Sequence, residues 1–301
     1  MKKDNLTSKM SLAGAMVVFG TIGLFVRNID MPSSVIAFIR GAVGTVFLVV
    51  FCLITRKKFS LSKVKEKLLL LCLSGGAIGI NWIFLFEAYR YTTVATATLC
   101  YYMAPIFVIV MSSLIYKEKL TAKKICCTLA ALVGMIFVSG VAETGIGNME
   151  EMKGVILGVL AAVFYSSVVL MNKSLGSVPA YDKTIVQLSG AAIVILPYCL
   201  ATVNISDLSF DKKSAIMLLV VSIVHTGIAY TLYFGSMKNL QSQTIAIMSY
   251  IDPIVAVVLS ALLLKEKMSP LSIVGAVMIL SATFLSEVNL KREKANEQKY
   301  N

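Results

Sequence analysis

Charged residues are scarce in this sequence of 301 residues, where they make up 15% of the chain. Soluble globular domains carry about 25% charged residues. Hydrophobic residues make up 57% of the chain, and its mean hydropathy is +0.83. This balance excludes an ordinary soluble domain and indicates an integral membrane protein.

Motifs that mark catalytic or nucleotide-dependent proteins are also missing. The one histidine, His225, excludes the zinc-binding HExxH motif, and no GxxxxGK[ST] loop is present to bind ATP. The six cysteines lack CxxC spacing, so we interpret them as small core residues. The formal charge of +12 is not arranged in Lys/Arg runs interleaved with aromatic residues on a soluble domain. We therefore expect no metal, no cofactor, no nucleic-acid partner and no enzymatic activity.

The apolar residues fall into ten blocks of roughly 20 residues, each long enough to cross a hydrocarbon layer of ~30 Å as a helix. The ten blocks span about residues 10–26, 33–55, 68–88, 93–116, 125–141, 154–171, 184–203, 215–235, 244–264 and 271–288. The predicted fold class is an all-α polytopic membrane protein with ten transmembrane helices. The fifth and tenth blocks carry no charge inside the membrane, since Glu287 stands at the very end of the tenth, so we expect these two helices at the periphery.

The fourth and ninth blocks are two copies of one sequence pattern. A shift of 148 residues aligns Tyr102 with Tyr250, Pro105 with Pro253, and the Lys-Glu-Lys triplet 117–119 with 265–267. We interpret this as an internal duplication, and because each half has an odd number of helices, the two repeats must be inverted relative to each other. The predicted domains are a first five-helix repeat at 1–142, an external linker at 143–153, a second five-helix repeat at 154–289 and a cytoplasmic tail at 290–301.

The basic residues are distributed unevenly between the two sides of this arrangement. With the N-terminus inside, the inner segments hold 20 Lys and Arg residues and the outer segments hold seven. Cytoplasmic loops are enriched in Lys and Arg. We therefore predict that both termini lie in the cytoplasm and that the protein resides in the cytoplasmic membrane.

Each repeat has a fourth helix with Tyr-x-x-Pro, a run of small and branched residues, and an acidic residue at its end. In this pattern the chain resembles the drug/metabolite transporter superfamily, and within it the ten-helix EamA-type exporters and permeases, over residues 10–288. The residues that match the family's prolines and terminal glutamates are Pro105, Pro253, Glu118 and Glu266. Lys117 and Lys265 depart from the pattern, since many members have glycine there. The resemblance implies transport of an amino acid, sugar, nucleotide or other metabolite.

Arg40 is a charged residue inside the second block, roughly 10 Å from its outer end. Glu87, near the end of the third block, lies toward the same side of the membrane. A charge inside a span is costly and faces a partner or a watery cavity. Two interpretations are open: an Arg40–Glu87 ion pair that holds two helices together, or a site where Arg40 binds a substrate carboxylate or phosphate and Glu87 is its counter-ion or binds an amine.

Aromatic and amide side chains extend this candidate site along the third block. Asn81, Trp82, Phe86 and Glu87 recur at helical spacing, which predicts one face directed into a central cavity. Trp82, the one tryptophan, lies too deep in its block for an interfacial anchor, which is the alternative.

Tyrosines offer further aromatic faces with a hydroxyl group. Tyr102, Tyr230 and Tyr250 are the candidates for substrate binding, and core packing is the alternative for each. Pro105 and Pro253 each remove a helical hydrogen bond, so they are candidate hinges or cavity-lining breaks, and a passive kink is the alternative.

Asp252 and His225 are the candidates for proton coupling. Both lie near the middle of their blocks, and the short turn after Gly235 predicts that the eighth and ninth helices are neighbours. Burial and mutual attraction oppose each other here, so either group is a candidate for titration near neutral pH. In the alternative, Asp252 caps backbone freed by Pro253 and His225 donates a structural hydrogen bond.

The sequence thus favours a secondary transporter that moves a small polar or amphipathic metabolite, an amino acid or a related compound, by alternating access. Export is the direction we consider. Its expected partners are a small-molecule substrate, the lipid bilayer and, as candidate coupling ions, protons. An intramembrane enzyme or a facilitative channel without proton coupling are the alternatives. The pattern does not indicate an oligomeric state.

Overall fold

The computed structural model describes residues 2–116, 121–139, 142, 149–204, 208, 211–237, 240 and 248–288, and these residues form helices joined by short connections. In chain order the helices are α1 (Lys2–Arg27), α2 (Ser33–Ile54), α3 (Leu61–Glu66), α4 (Leu68–Tyr91), α5 (Val94–Tyr101), α6 (Ala104–Tyr116), α7 (Ala122–Val138), α8 (Met149–Ser174), α9 (Ala180–Thr202), α10 (Lys212–Val220), a π-helical segment (Val221–Ile228), α11 (Ala229–Met237), α12 (Ile251–Leu263) and α13 (Pro270–Val288).

The prediction of an all-α, multi-pass membrane protein is confirmed. Among the described residues, seven helices are long and apolar enough to span a membrane, and three shorter apolar helices cover 125–138, 251–263 and 270–285. In each of the ten apolar blocks the described residues are mostly helical, and the short α3 is an additional element in the basic segment after α2. The count of ten crossings and the inverted repeat remain predictions. The triplet 117–119, most of the linker 143–153 and the tail 290–301 lie outside the described residues.

Local sequence signals explain where several helices begin. Pro32 and Pro179 directly precede α2 and α9, where a residue without an N–H group costs no helical hydrogen bond. The Thr93 hydroxyl accepts a hydrogen bond from the Thr96 N–H at 3.0 Å and caps α5. Asp211 caps α10, and its hydrogen bonds with Ser214 lower the pKa of the carboxyl group below its usual value.

Both candidate hinge prolines follow interruptions of their helices. The chain makes a turn at residues 102–103, between α5 and α6, and Pro105 is the second residue of α6. A turn at Tyr250 likewise precedes α12, and Pro253 is the third residue of that helix. A proline in the first turn of a helix costs no internal hydrogen bond, so it stabilises a restart after a break. Whether these breaks act as hinges remains a prediction.

Contacts between the two halves of the chain come in matching pairs. Helix α4 packs against α8, and the unit of α11 and the π-helical segment packs against α1. Helix α1 packs against α12, and α8 packs against α5 and α6. Helices α7 and α13 pack chiefly against each other, at one side of the bundle. Helices of the first half therefore lie between helices of the second half in the central part of the molecule.

Glycines allow several helices to approach closely, and Gly75 and Gly44 are two examples. A Cβ atom on Gly75 would lie 2.5 Å from the carbonyl oxygen of Gln187, so this position brings α4 against α9. A Cβ atom on Gly44 would lie 2.5 Å from Cγ2 of Thr226, so α2 approaches the π-helical segment there. Small residues permit such approach between membrane helices, which have no hydrophobic driving force to associate.

Glu266, the family-pattern glutamate after α12, joins three helices at one end of the bundle. Its buried carboxylate, 8% exposed, pairs with the Arg27 guanidinium at the end of α1. It also accepts hydrogen bonds from the Ser260 hydroxyl of α12 and, at 3.0 Å, from the Val94 N–H at the start of α5. We call this end of the bundle, which also holds Arg90 and Lys213, the Arg27 end.

Lys265, which stands where the family pattern has glycine, adopts a left-handed backbone conformation with φ of 54°. Side chains with a Cβ atom are strained in this region, and β-branched ones most of all. We expect Lys265→Gly to keep or raise stability by up to about 1 kcal/mol and Lys265→Val to lower it by about 1–2 kcal/mol. Thermal unfolding midpoints in detergent measure both. Lys267→Val is the matched control, since it removes the same charge at an exposed residue without positive φ; equal effects of the two valine substitutions would contradict the explanation.

Candidate functional site

Arg40 lies on α2 in the interior of the bundle, with 4% of its surface exposed. Its guanidinium carbon is 4.2 Å from the centre of the Trp82 ring and 5.6 Å from the centre of the Phe86 ring. Trp82 and Phe86 are one helical turn apart on α4, so they present one aromatic face to Arg40. Stacking on aromatic faces is a favourable environment for a planar guanidinium group.

Thr226 holds the Arg40 side chain from the opposite direction. Nε of Arg40 donates a hydrogen bond of 2.7 Å to the Thr226 hydroxyl, which itself lies 3.3 Å from the Val221 carbonyl oxygen. Thr226 belongs to the π-helical segment, and π-helical turns occur mostly at functional sites. Thr226 was not among the residues predicted from the sequence, because a threonine in an apolar block carries no signal of its own. The π-helical geometry around it is set by packing between helices.

The interpretation of Arg40 and Glu87 as an ion pair is wrong. Glu87 accepts a 2.5 Å hydrogen bond from the Ser33 hydroxyl and lies 3.9 Å from Arg90. Position 87 is about 100° further around α4 than position 86, so its side chain points away from the face that covers Arg40. In the described part of the chain, no carboxylate lies within ion-pair distance of Arg40.

Asn81 does not share the face formed by Trp82 and Phe86. Its side-chain amide donates a 2.6 Å hydrogen bond to the Ala161 carbonyl oxygen, and the residue is 2% exposed. This bond ties α4 to α8, so the prediction of one continuous face from Asn81 to Glu87 is wrong. Asn81 is better explained as a structural contact between membrane helices.

Asp252 meets Tyr102 across the two broken helices. The Tyr102 hydroxyl donates a 2.7 Å hydrogen bond to Oδ2 of Asp252 and lies 3.4 Å from the Ser249 carbonyl oxygen. Among the described residues no backbone N–H donates to Asp252, and the Tyr102 hydroxyl, not Asp252, lies near the Ser249 carbonyl that Pro253 frees, so the capping alternative stays a prediction without a contact to support it. The contact joins repeat-equivalent regions, since Tyr102 and Asp252 lie at corresponding breaks of the fourth and ninth blocks.

The prediction that the helices of His225 and Asp252 are direct neighbours is also wrong. Helix α1 packs against both of these helices. Nε2 of His225 lies 2.9 Å from the Thr21 hydroxyl of α1, and its ring contacts Phe25 edge-to-face at 5.0 Å. A Cβ atom on Gly20 would lie 2.5 Å from the carbonyl oxygen of Asp252. The adjacent residues Gly20 and Thr21 of α1 thus contact the helix of Asp252 and the helix of His225. The short connection after Gly235 in the sequence therefore did not predict which helices pack together.

Tyrosine rings also lie in this interior. Tyr101 and Tyr230 pack against the same core cluster as Trp82 and Phe86, and the Tyr101 ring contacts the Tyr102 ring at 6.0 Å between ring centres. Tyr230 contacts Phe19 of α1 at 5.5 Å between ring centres. Tyr250 contacts Phe284 of α13 at 5.7 Å, which places its ring toward the peripheral helices. The interior therefore combines a cation, aromatic walls and a carboxyl group, whereas the described residues include no cluster of three or more His, Cys, Asp or Glu side chains suited to a metal.

This interior site can now be compared with known proteins. The profile of the EamA-like transporter family matches residues 8–140 and 152–287. The chain belongs to the EamA-like transporter family. An uncharacterized transporter of Bacillus subtilis (strain 168), YxxF, is 30% identical over 98% of this chain and 93% of its own length.

Other similar proteins agree with this assignment to the EamA-like family. A protein of Escherichia coli (strain K12) named a probable amino-acid metabolite efflux pump is 24% identical over 63% of this chain and 66% of its own length. One solved crystal structure matches 95% of this chain and 98% of its own length with a TM-score of 0.67 and 18% identity, which shows a shared fold. The family and the names of its relatives indicate a membrane transporter.

Proposed function

We propose that this EamA-like protein exports small metabolites that carry a carboxylate, amino acids or related amphipathic compounds, across the cytoplasmic membrane. The observation that carries the proposal is Arg40, a buried cation for which the described residues supply no anion. A buried charge without a partner is strongly unfavourable in a membrane interior. The substrate carboxylate is the counter-ion that completes this site.

The geometry around Arg40 suits a carboxylate better than a neutral group. Trp82 covers the face of the guanidinium and Thr226 accepts the Nε hydrogen bond, and no described residue accepts a hydrogen bond from the Nη atoms, so these donors are left for a ligand. Two parallel hydrogen bonds from a guanidinium match the two oxygens of a carboxylate. The neighbouring Phe86, Tyr101 and Tyr230 supply apolar surface for the rest of the molecule.

Alternating access is the transport mechanism that the packing supports. The two matches to the family profile and the reciprocal contacts between the halves fit an inverted repeat in which one half rocks against the other. The turns before Pro105 and Pro253 lie within the fourth and ninth apolar blocks and are the candidate hinges for this motion. The basic asymmetry favours cytoplasmic termini and places the Arg27 end outside. The efflux function in the names of two relatives, from Escherichia coli and Salmonella typhimurium, favours export.

Trp82 provides a direct test, because it is the one tryptophan of the chain and it contacts Arg40. Titration of the purified protein with L-amino acids is expected to give a saturable change in Trp82 fluorescence for at least one of them. The corresponding amino-acid amide, which lacks the carboxylate, is expected to bind about tenfold or more weakly, the scale of a lost charged hydrogen bond. The Arg40→Gln variant is expected to lose the response. Equal responses to acid and amide would contradict a carboxylate site at Arg40.

A further inference from the structure

A cavity lies at the Arg27 end of the bundle, between the end of α1, the start of α2, the end of α4 and the start of α10. Its volume is about 420 Å³, which is enough for a small metabolite. The cavity contains none of the residues assigned to the Arg40 site except Phe86. It is therefore separate from the Arg40 site, and the Phe86 ring is the one residue that the two share.

The cavity has a cationic rim. Among the described residues, three basic ones line it, Arg27, Arg90 and Lys213, against one acidic residue, Asp30. The carboxylates that pair with Arg27 and Arg90, those of Glu266 and Glu87, are not among its lining residues. A concave surface with this charge balance attracts anions from solution.

The opposite part of the cavity is aromatic and apolar. Phe86 and Tyr89 line it with their rings stacked at 6.5 Å between centres, and Ile36 lies beside them. The Phe86 ring is also 5.6 Å from the Arg40 guanidinium. One aromatic ring thus separates the cavity from the buried cation.

We propose that this cavity is a second binding site for a small amphipathic carboxylate, which it holds with the anion at Lys213 and Arg27 and the apolar part on Phe86 and Tyr89. The class of ligand is taken from the proposed function. The cavity adds a second binding site on the transport path, which a substrate occupies after it leaves Arg40 and passes Phe86. Binding there is weaker than at Arg40, because the charges at the rim are exposed to water and salt.

The experiment uses N-acetyl-L-phenylalanine as the anionic probe and its uncharged amide as the comparison. In purified Arg40→Gln protein, where the deep site is disabled, ligand-observed NMR titration is expected to show saturable binding of the acid with a dissociation constant on the order of millimolar. We expect Lys213→Gln in this background to weaken binding of the acid about fivefold, the scale of one exposed ion pair, and to leave binding of the amide unchanged.

Lys212→Gln is the matched control, because Lys212 is the adjacent exposed lysine and does not line the cavity. Equal effects of Lys212→Gln and Lys213→Gln, or no binding of the acid to the Arg40→Gln protein, would overturn the second site. The Trp82 titration of the otherwise unchanged protein reports on Arg40 alone. If Trp82 responds but the Arg40→Gln protein does not bind the acid, the second site is rejected and the proposed function is retained. If the Arg40→Gln protein binds the acid but Trp82 of the unmodified protein does not respond, the second site is retained and the carboxylate site at Arg40 is rejected.

Discussion

Arg40→Gln is expected to lower the rate of transport in proteoliposomes by about 30-fold or more at limiting substrate concentration. The reason is that glutamine keeps a hydrogen-bond donor but removes the charge that pairs with the carboxylate, and removing one partner of a buried charge pair costs about 2–5 kcal/mol. The substrate is the amino acid that changes Trp82 fluorescence, and its uptake or counterflow is measured with radiolabel. Arg40→Lys is expected to recover only part of the activity, because a lysine ammonium lacks the planar fork of the guanidinium.

Two further substitutions make this result specific. Arg56→Gln removes an exposed arginine just after α2 that does not line the cavity at the Arg27 end, and because an exposed charge contributes little, we expect transport to stay within about twofold of the unmodified protein. Thr226→Val removes the hydroxyl that orients Nε of Arg40, and we expect a partial loss seen chiefly as weaker apparent affinity. Normal transport by Arg40→Gln protein that inserts and folds normally would place the substrate site elsewhere.

Asp252→Asn is expected to abolish the response of transport to an imposed pH gradient. A carrier that exchanges one proton for one substrate can build up to about a tenfold substrate gradient per pH unit, and this accumulation is expected to fall to none. Asparagine keeps an oxygen that accepts the Tyr102 hydrogen bond, so the contact between the broken helices survives while the titratable group is lost. Asp252 is a suitable coupling group because it is held by the hydroxyl of Tyr102, on the opposite repeat, and because its repeat-equivalent position is Ala104.

The coupling measurement compares transport with and without the gradient in the same proteoliposomes. Glu66→Gln is the control, since it removes an exposed carboxylate on α3, outside the interior and outside the cavity at the Arg27 end. Tyr102→Phe is expected to retain a gradient response of smaller size, because the carboxyl group remains but loses its partner. If the gradient still drives accumulation by the Asp252→Asn protein, Asp252 has no part in coupling, and a facilitator without proton coupling becomes the better description.

The candidate site shows where sequence reasoning succeeded and where it could not. Arg40 and Trp82 were selected because a charge and a lone tryptophan are conspicuous within apolar blocks, and the structure places them in contact. Glu87 was assigned to the same face, but one helical step of about 100° directs it to Ser33 and Arg90 instead. Thr226 and Thr21 gave no signal, because a hydroxyl in an apolar helix can satisfy itself on its own backbone.

Composition and short-range pattern were sufficient to establish the membrane class, the positions of the helices, the duplicated Tyr-x-x-Pro pattern and the glutamate that closes the Arg27 end. These properties depend on the length and polarity of each segment against the thickness of the bilayer, and such quantities are local to a segment. Tertiary packing decided which side chains meet: Arg40 with Thr226, His225 with Thr21, and Asp252 with Tyr102. Helix α1 inserts between the helices that carry His225 and Asp252, and close contacts at glycines such as Gly44 set how each helix is rotated. The rotation of one helix depends on the shape of every helix packed against it, so no single segment of the sequence encodes it.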